Sequence, residues 1–255
     1  MMNIFSPTKI EFLCFLLILT RVSGVLVTAP ILASRNIPPK AKIGLAFFTS
    51  LILFPFIGTP EIPEQLIHYA LLIGKELLVG LTIGYIANLM FIGILIAAKV
   101  IDFQMGFAIA NVVDPLTNVQ VSVTGQFQYI LAMLFFLIIN GHHHLFSALA
   151  RSFEVVPLTT FEISPHLIGN INQLFSETFV IGIKIGAPVM GALLMASLIL
   201  GIIARTMPQM NVFIVGIPLK IGVGFAILII TLPFFFLFLN RIIQTIPLEI
   251  LNAIR

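Results

Sequence analysis

Long charge-free stretches separated by short polar breaks run along the whole chain. A bilayer hydrocarbon core of roughly 30 Å takes about 20 helical residues, so each long stretch predicts a membrane helix. The first extends from about Ile10 to Ala33 and carries Arg21 near its middle. The second, Ile43 to Gly58, is short and leads into a turn marked by Pro55, Pro60 and Pro63. The third, Leu66 to Ala98, is too long for one untilted span and holds Lys75 and Glu76 ahead of an uncharged run from Leu77. The fourth covers Phe127 to about Ala150, the fifth about Phe179 to Ala204, and the sixth about Val212 to Asn240. From Arg241 onward, Ile242, Ile243, Ile246, Ile250, Leu251 and Ile254 recur at helical spacing against Arg241, Gln244, Glu249 and Arg255. That spacing predicts an amphipathic helix for an interface or a partner. Membrane barrels alternate polar and apolar residues over segments of about ten, whereas these runs are continuous. The predicted fold class is therefore all-α, a polytopic helical membrane protein.

Composition narrows the picture further. Of 255 residues, 59% are hydrophobic and 9% charged, with 24 Phe and no Trp. Thirteen Lys and Arg with ten Asp and Glu cannot cover the surface of a soluble globule of this size. A disordered chain and a nucleic-acid binder are excluded on the same ground. The single cysteine, Cys14, excludes a disulfide framework and cysteine-rich metal sites. Lys9 is the one basic residue before the first apolar run, and Arg21 interrupts that run, so the segment reads as retained rather than as a cleaved signal peptide. With the N-terminus placed outside, the inner connections hold Arg35, Lys40, Lys42, Lys99 and Arg205, and the outer ones hold Lys9, Arg151, Arg241 and Arg255. So small an asymmetry departs from the usual positive-inside pattern.

Charges within or beside the apolar segments are the first functional candidates: Arg21, Lys75, Glu76, Lys184 and Lys220. Each costs at least ~2.5 kcal/mol at mid-membrane, so such groups face a partner, a water-filled path or a helix end from which they snorkel. Lys75 and Glu76 are adjacent and do not face one another on a helix, so at least one needs a partner elsewhere. Pro30, Pro55, Pro188, Pro218 and Pro233 lie within or at the ends of apolar runs and predict kinks or helix ends. Gly80 with Gly84 and Gly182 with Gly186 have the spacing of close helix packing.

The stretch from Met105 to Gln126 stands apart. Asp114-Pro115 breaks any helix, the Val-rich continuation suits extended backbone, and Asp114 is its one charge. An apolar, non-helical stretch between two apolar helices reads as a re-entrant loop or a plug, or as a loop packed beneath neighbouring subunits. His142, His143 and His144 point about 100° apart on a helix, which is poor metal-ligand spacing. Asp102 and Asp114 are carboxylates beside apolar segments, without the paired base that a proton relay needs. The chain contains no P-loop, H-E-x-x-H or G-x-S-x-G motif, and Gly222-Val223-Gly224 is not followed by the third glycine of a dinucleotide fingerprint. Neither an enzyme, a cofactor nor a metal is expected.

Several stretches in order resemble the FliR family, a flagellar biosynthesis and export-gate component related to the SctT-type proteins of virulence secretion. They are Arg21 with Ala29-Pro30-Ile31-Leu32 and Ile37-Pro38; Asp102-Phe103-Gln104-Met105-Gly106-Phe107 leading to Val113-Asp114-Pro115; Asn140-Gly141-His142; and Arg205, Met207-Pro208-Gln209-Met210-Asn211 and Gly216-Ile217-Pro218-Leu219-Lys220. The resemblance implies kinked helical hairpins in a helical export gate shared with FliP-like and FliQ-like subunits, near FlhB-like and FlhA-like components. It implies a bacterial inner-membrane location in the flagellar basal body, passage of unfolded flagellar proteins and nucleation of the rod. It divides the chain into a FliP-like part, Met1 to about Ser176, and a FliQ-like hairpin, about Glu177 to Arg255, with no fused FlhB-like domain expected. The family's plug loop maps onto about Gly106 to Thr124, which makes Gly106, Phe107, Val112, Val113, Asp114 and Pro115 the expected gating residues. Arg21, Lys75, Glu76, Lys184, Arg205 and Lys220 are the expected contacts between subunits. A virulence injectisome subunit and a secondary transporter are the alternative readings. The transporter reading rests on intramembrane charges and broken helices, and the chain shows no inverted repeat that would support it.

Overall fold

The computed structural model describes residues 9–58, 60, 65–107, 122–162, 165–209 and 211–254. Among the described residues seven α-helices follow in order: α1 (Lys9–Thr28), α2 (Pro39–Leu53), α3 (Leu66–Met105), α4 (Val123–Ile138), α5 (Gly141–Val155), α6 (Pro165–Thr206) and α7 (Val212–Ile254). A 3₁₀ turn, Phe54–Phe56, closes α2. Among the described residues there is no strand.

The helix ends follow from local chemistry. Ala29 and Pro30 come directly after α1, where the proline disfavours helical backbone in the residue before it. Pro39 opens α2, at the position where a missing N–H leaves no helical bond unmade. Ser122 caps α4 by accepting a hydrogen bond from the Gly125 amide. The long helices run farther than the apolar stretches suggest. α6 and α7 have 42 and 43 residues, about 63 and 65 Å at 1.5 Å per residue, twice a bilayer core. Pro188 lies inside α6, and Pro218 and Pro233 lie inside α7, whereas Pro30 and Pro55 are at helix ends.

Two expectations change. The fourth apolar segment is not one helix: α4 and α5 are separate and bent by 68° at a break around Asn140. Asn140 has φ +57, a left-handed conformation that asparagine tolerates better than other side-chained residues. The amphipathic C-terminal segment is not a separate helix either, because residues 241–254 continue α7 unbroken. Its apolar stripe is Ile243, Ile246, Ile250 and Ala253, all buried within the fold. Among the described residues five helices are long and apolar enough to cross a membrane, or six if the bent α4–α5 pair counts as one span.

The chain divides into two compact units. The first comprises Met1–Leu89, Asn140–Leu174 and Ile243–Arg255. Its core includes Leu17, Ile18 and Val22 of α1, Val79 and Ile83 of α3, and Leu145 and Leu149 of α5. Phe15 packs edge-on against Phe47 of α2, with ring centroids 5.6 Å apart. The second unit comprises Met90–Ile139 and Phe175–Ile242. Here Phe91 packs edge-on against both Tyr129 and Phe136 of α4, each at 5.8 Å. Ile101, Met105, Val189, Leu193 and Leu228 form a buried cluster joining α3, α6 and α7.

Candidate functional site

In the first unit α1 and α3 touch backbone to backbone. A Cβ placed on Gly80 would collide with the Arg21 carbonyl oxygen, and one on Gly24 would lie 2.9 Å from the Leu77 carbonyl oxygen. A Cβ on Gly84 would meet the Thr28 hydroxyl and lie 2.8 Å from the Val25 carbonyl oxygen. The Gly80–Gly84 pair is thus a contact surface where no larger side chain fits. Gly182 makes a similar approach in the second unit, its Cβ position 3.0 Å from the Gly93 carbonyl oxygen.

This close approach brings together two charges 55 positions apart. Arg21 Nε donates to Glu76 Oε2 at 2.6 Å, and both side chains are 0% exposed. Arg21 Nη1 reaches the carbonyl oxygens of Ser152 (3.1 Å) and Val156 (2.9 Å) and lies 3.3 Å from the Ser152 hydroxyl. The guanidinium carbon lies 4.2 Å from the centroid of the Phe153 ring, a cation–π contact. Glu76 uses its second oxygen to accept from the Thr159 amide at 3.2 Å. A buried charge pair is tolerated when its remaining donors and acceptors are also matched, and most of them are here. The last carbonyls of α5 carry the partial negative charge of a helix C-terminus, so the arginine is matched to them as well as to Glu76. One cluster therefore ties α1, α3, the end of α5 and the turn at Thr159 together.

A second constellation flanks the apolar loop. α3 ends at Met105, and Gly106 turns the chain with φ +92, a conformation in which a side chain would be strained. Phe107 packs against the buried cluster of the second unit. At the loop's far end, Asp102 Oδ1 accepts from the Thr124 hydroxyl at 2.6 Å and from its amide at 3.3 Å. The Thr124 hydroxyl also lies 3.2 Å from the Ala98 carbonyl oxygen. Asp102 is 7% exposed, and among the described residues its Oδ2 has no hydrogen-bond partner.

Residues 12–246 match the family described as bacterial export proteins, family 1. The chain belongs to this family. It is 42% identical over 236 residues to the flagellar biosynthetic protein FliR of Bacillus subtilis, covering 91% of this chain and 90% of that one. It is 33% identical to the FliR of Aquifex aeolicus, covering 89% and 88% of the two chains. Against the FliR of Escherichia coli the identity is 29%, over 84% and 82%.

Within this export-protein fold the expected site residues separate. Arg21 and Glu76 come together inside one unit of one chain, as partners of each other. Lys75, next to Glu76, is half-buried and lies outside that cluster. Lys184 and Arg205 are exposed on α6, and Lys220 is half-buried on α7. Among the described residues none of these four cations makes an ion pair. Gly106 and Phe107 stand at the loop's first foot, while Val112, Val113, Asp114 and Pro115 lie outside the described residues. Sequence reasoning missed Ser152, Thr124 and Thr159 as partners of the buried charges. Ser122-x-x-Gly125 could have flagged the start of α4, but nothing local marks which helix supplies the carboxylate opposite Thr124.

Proposed function

We propose that the chain is a non-enzymatic core subunit of the flagellar protein export gate in the bacterial inner membrane, at the base of the flagellum. It works with FliP-like and FliQ-like subunits, beside FlhB-like and FlhA-like components, to pass unfolded flagellar proteins and to nucleate the rod. The observation that carries this reading is the 42% identity to a FliR protein over about nine-tenths of both chains. The distribution of burial supports it. In the most apolar window of α3, 61% of residues are buried, against 22% in α6 and 17% in α7. The faces of α6 and α7 therefore require cover from lipid or from other subunits. Lys184, Arg205 and Lys220 on those helices, without an ion pair among the described residues, are suited to carboxylates on neighbouring subunits. The FliQ-like hairpin begins near Glu177, within α6.

In this reading the loop from Gly106 to Thr124 plugs the resting pore, with Phe107, Val112 and Val113 supplying bulk and Asp114-Pro115 keeping the segment from becoming helical. The flagellar system is favoured over a virulence injectisome because the relatives are flagellar biosynthetic proteins. Deletion of residues 108–121 tests the plug. The expected result is a complex that assembles normally and conducts small ions in vesicles. A complex that assembles and stays as tight as the parent would refute the plug role.

A further inference from the structure

We propose that α2 and the turn before it form a docking surface for an anionic phospholipid. Arg35, Lys40 and Lys42 meet the headgroup, and the outer face of α2 meets the acyl chains. The surface belongs to this chain alone and does not rest on the export-gate reading.

The charge pattern calls for an anion. Arg35, Lys40 and Lys42 fall close together, and no Asp or Glu occurs between Glu11 and Glu61. Lys40 and Lys42 stand at the start of α2, whose first turn holds no acidic residue. The field of a helix favours carboxylates there and disfavours cations. Arg35 and Lys40 are exposed, and Lys42 is half-buried. Among the described residues none of the three makes an ion pair. Cations gathered against the local field repel one another, and an external anion relieves them.

The apolar face beside them lacks cover. Ala46 and Ser50 are the buried residues of α2. Phe15 of α1 packs edge-on against Phe47 and Phe54, which sets the inner side. On the outer side Phe48, Leu51 and Ile52 are 62%, 50% and 66% exposed. In the most apolar window of Pro39–Phe56, 11% of residues are buried, the smallest share among the described candidate spans. Lys40 and Leu51 are separated by about three helical turns, so they lie on one stripe. From Ile43 to Ile52 the helix rises about 15 Å, half of a hydrocarbon core of roughly 30 Å. Cations at one end and one leaflet's depth of apolar surface below them match an anionic headgroup above its acyl chains. A free phosphate would engage the cations and leave the stripe bare, and an uncharged lipid would do the reverse.

The chain contains no tryptophan, so Phe48→Trp places a single indole on the outer face. The full chain with this substitution is reconstituted into vesicles of phosphatidylcholine and phosphatidylglycerol, with bromine on the acyl chains of one lipid or the other. At equal mole fraction, brominated phosphatidylglycerol is expected to quench the indole more strongly than brominated phosphatidylcholine. Each of Arg35→Gln, Lys40→Gln and Lys42→Gln should lower that preference roughly five-fold, and the triple variant should abolish it. Added salt should weaken it. The triple variant Lys99→Gln/Arg151→Gln/Arg241→Gln removes the same charge from exposed positions elsewhere and should keep it. Ile52→Trp, one turn further along, gives an independent reading should Phe48→Trp fail to fold. Equal quenching by the two lipids in the parent, or the same loss of preference in both triple variants, would overturn the proposal. Quenching by neither lipid would also overturn it, because the face would then be covered by protein.

Discussion

Replacing Arg21 by Met is expected to remove about 3–5 kcal/mol of stability and with it most of the folded protein, read as loss of the thermal transition in detergent and rapid proteolysis. The methionine fills much of the volume, so the loss is electrostatic. Glu76 remains 0% exposed without its cation, and the carbonyls of Ser152 and Val156 lose their donor. Arg21→Lys is not conservative here. A single ammonium cannot present the fork that meets Glu76 on one side and the end of α5 on the other. The double variant Arg21→Met/Glu76→Leu separates the two causes. If the stranded carboxylate dominates, the double variant recovers a large part of the loss. If the links to α5 dominate, it is as unstable as the single variant.

The second large effect is at Gly80. Alanine at a glycine in a helix interior normally stabilises by about 1 kcal/mol. Gly74, earlier on the same helix, has nothing within 4 Å of a built Cβ, so Gly74→Ala should show that gain. Gly80→Ala should do the opposite and destabilise by about 1–3 kcal/mol, because its methyl meets the Arg21 carbonyl, which is backbone and cannot rotate away. Gly80→Val should be worse. Since separating α1 from α3 also pulls Arg21 from Glu76, Gly80→Ala and Arg21→Met should combine non-additively in a double-mutant cycle. Equal thermal shifts for Gly74→Ala and Gly80→Ala would show that the helices are not in backbone contact.

Much of this was legible residue by residue, and the failures have physical causes. Arg21 and Glu76 were conspicuous as isolated charges in apolar sequence, and adjacency ruled out Lys75 as the partner of Glu76. The pairing itself depends on how α1 and α3 lie side by side, which periodicity does not encode. The Gly80–Gly84 spacing pointed to a close approach without naming the opposing helix. The bend at Asn140 lies in a run that is free of charge but not of polar residues, and its Asn-Gly dipeptide is a turn signal that hydropathy does not register. The C-terminal stripe is legible as amphipathic, but a single charge at Arg241 does not end a helix, and α7 runs through it to Ile254. The loop stands out through composition, but the Asp102–Thr124 hydrogen bond beside it joins residues 22 positions apart, and neither residue is unusual alone.

The central claim is that this chain is one subunit of a larger gate, and that the apolar faces of α6 and α7 are covered in part by its partners. The most direct measurement is the mass of the native particle extracted in mild detergent. The account predicts the 28.0 kDa chain inside a larger assembly that contains FliP-like and FliQ-like subunits. A lone 28.0 kDa chain that drives substrate-dependent uptake into liposomes by itself would contradict it and make the protein a transporter.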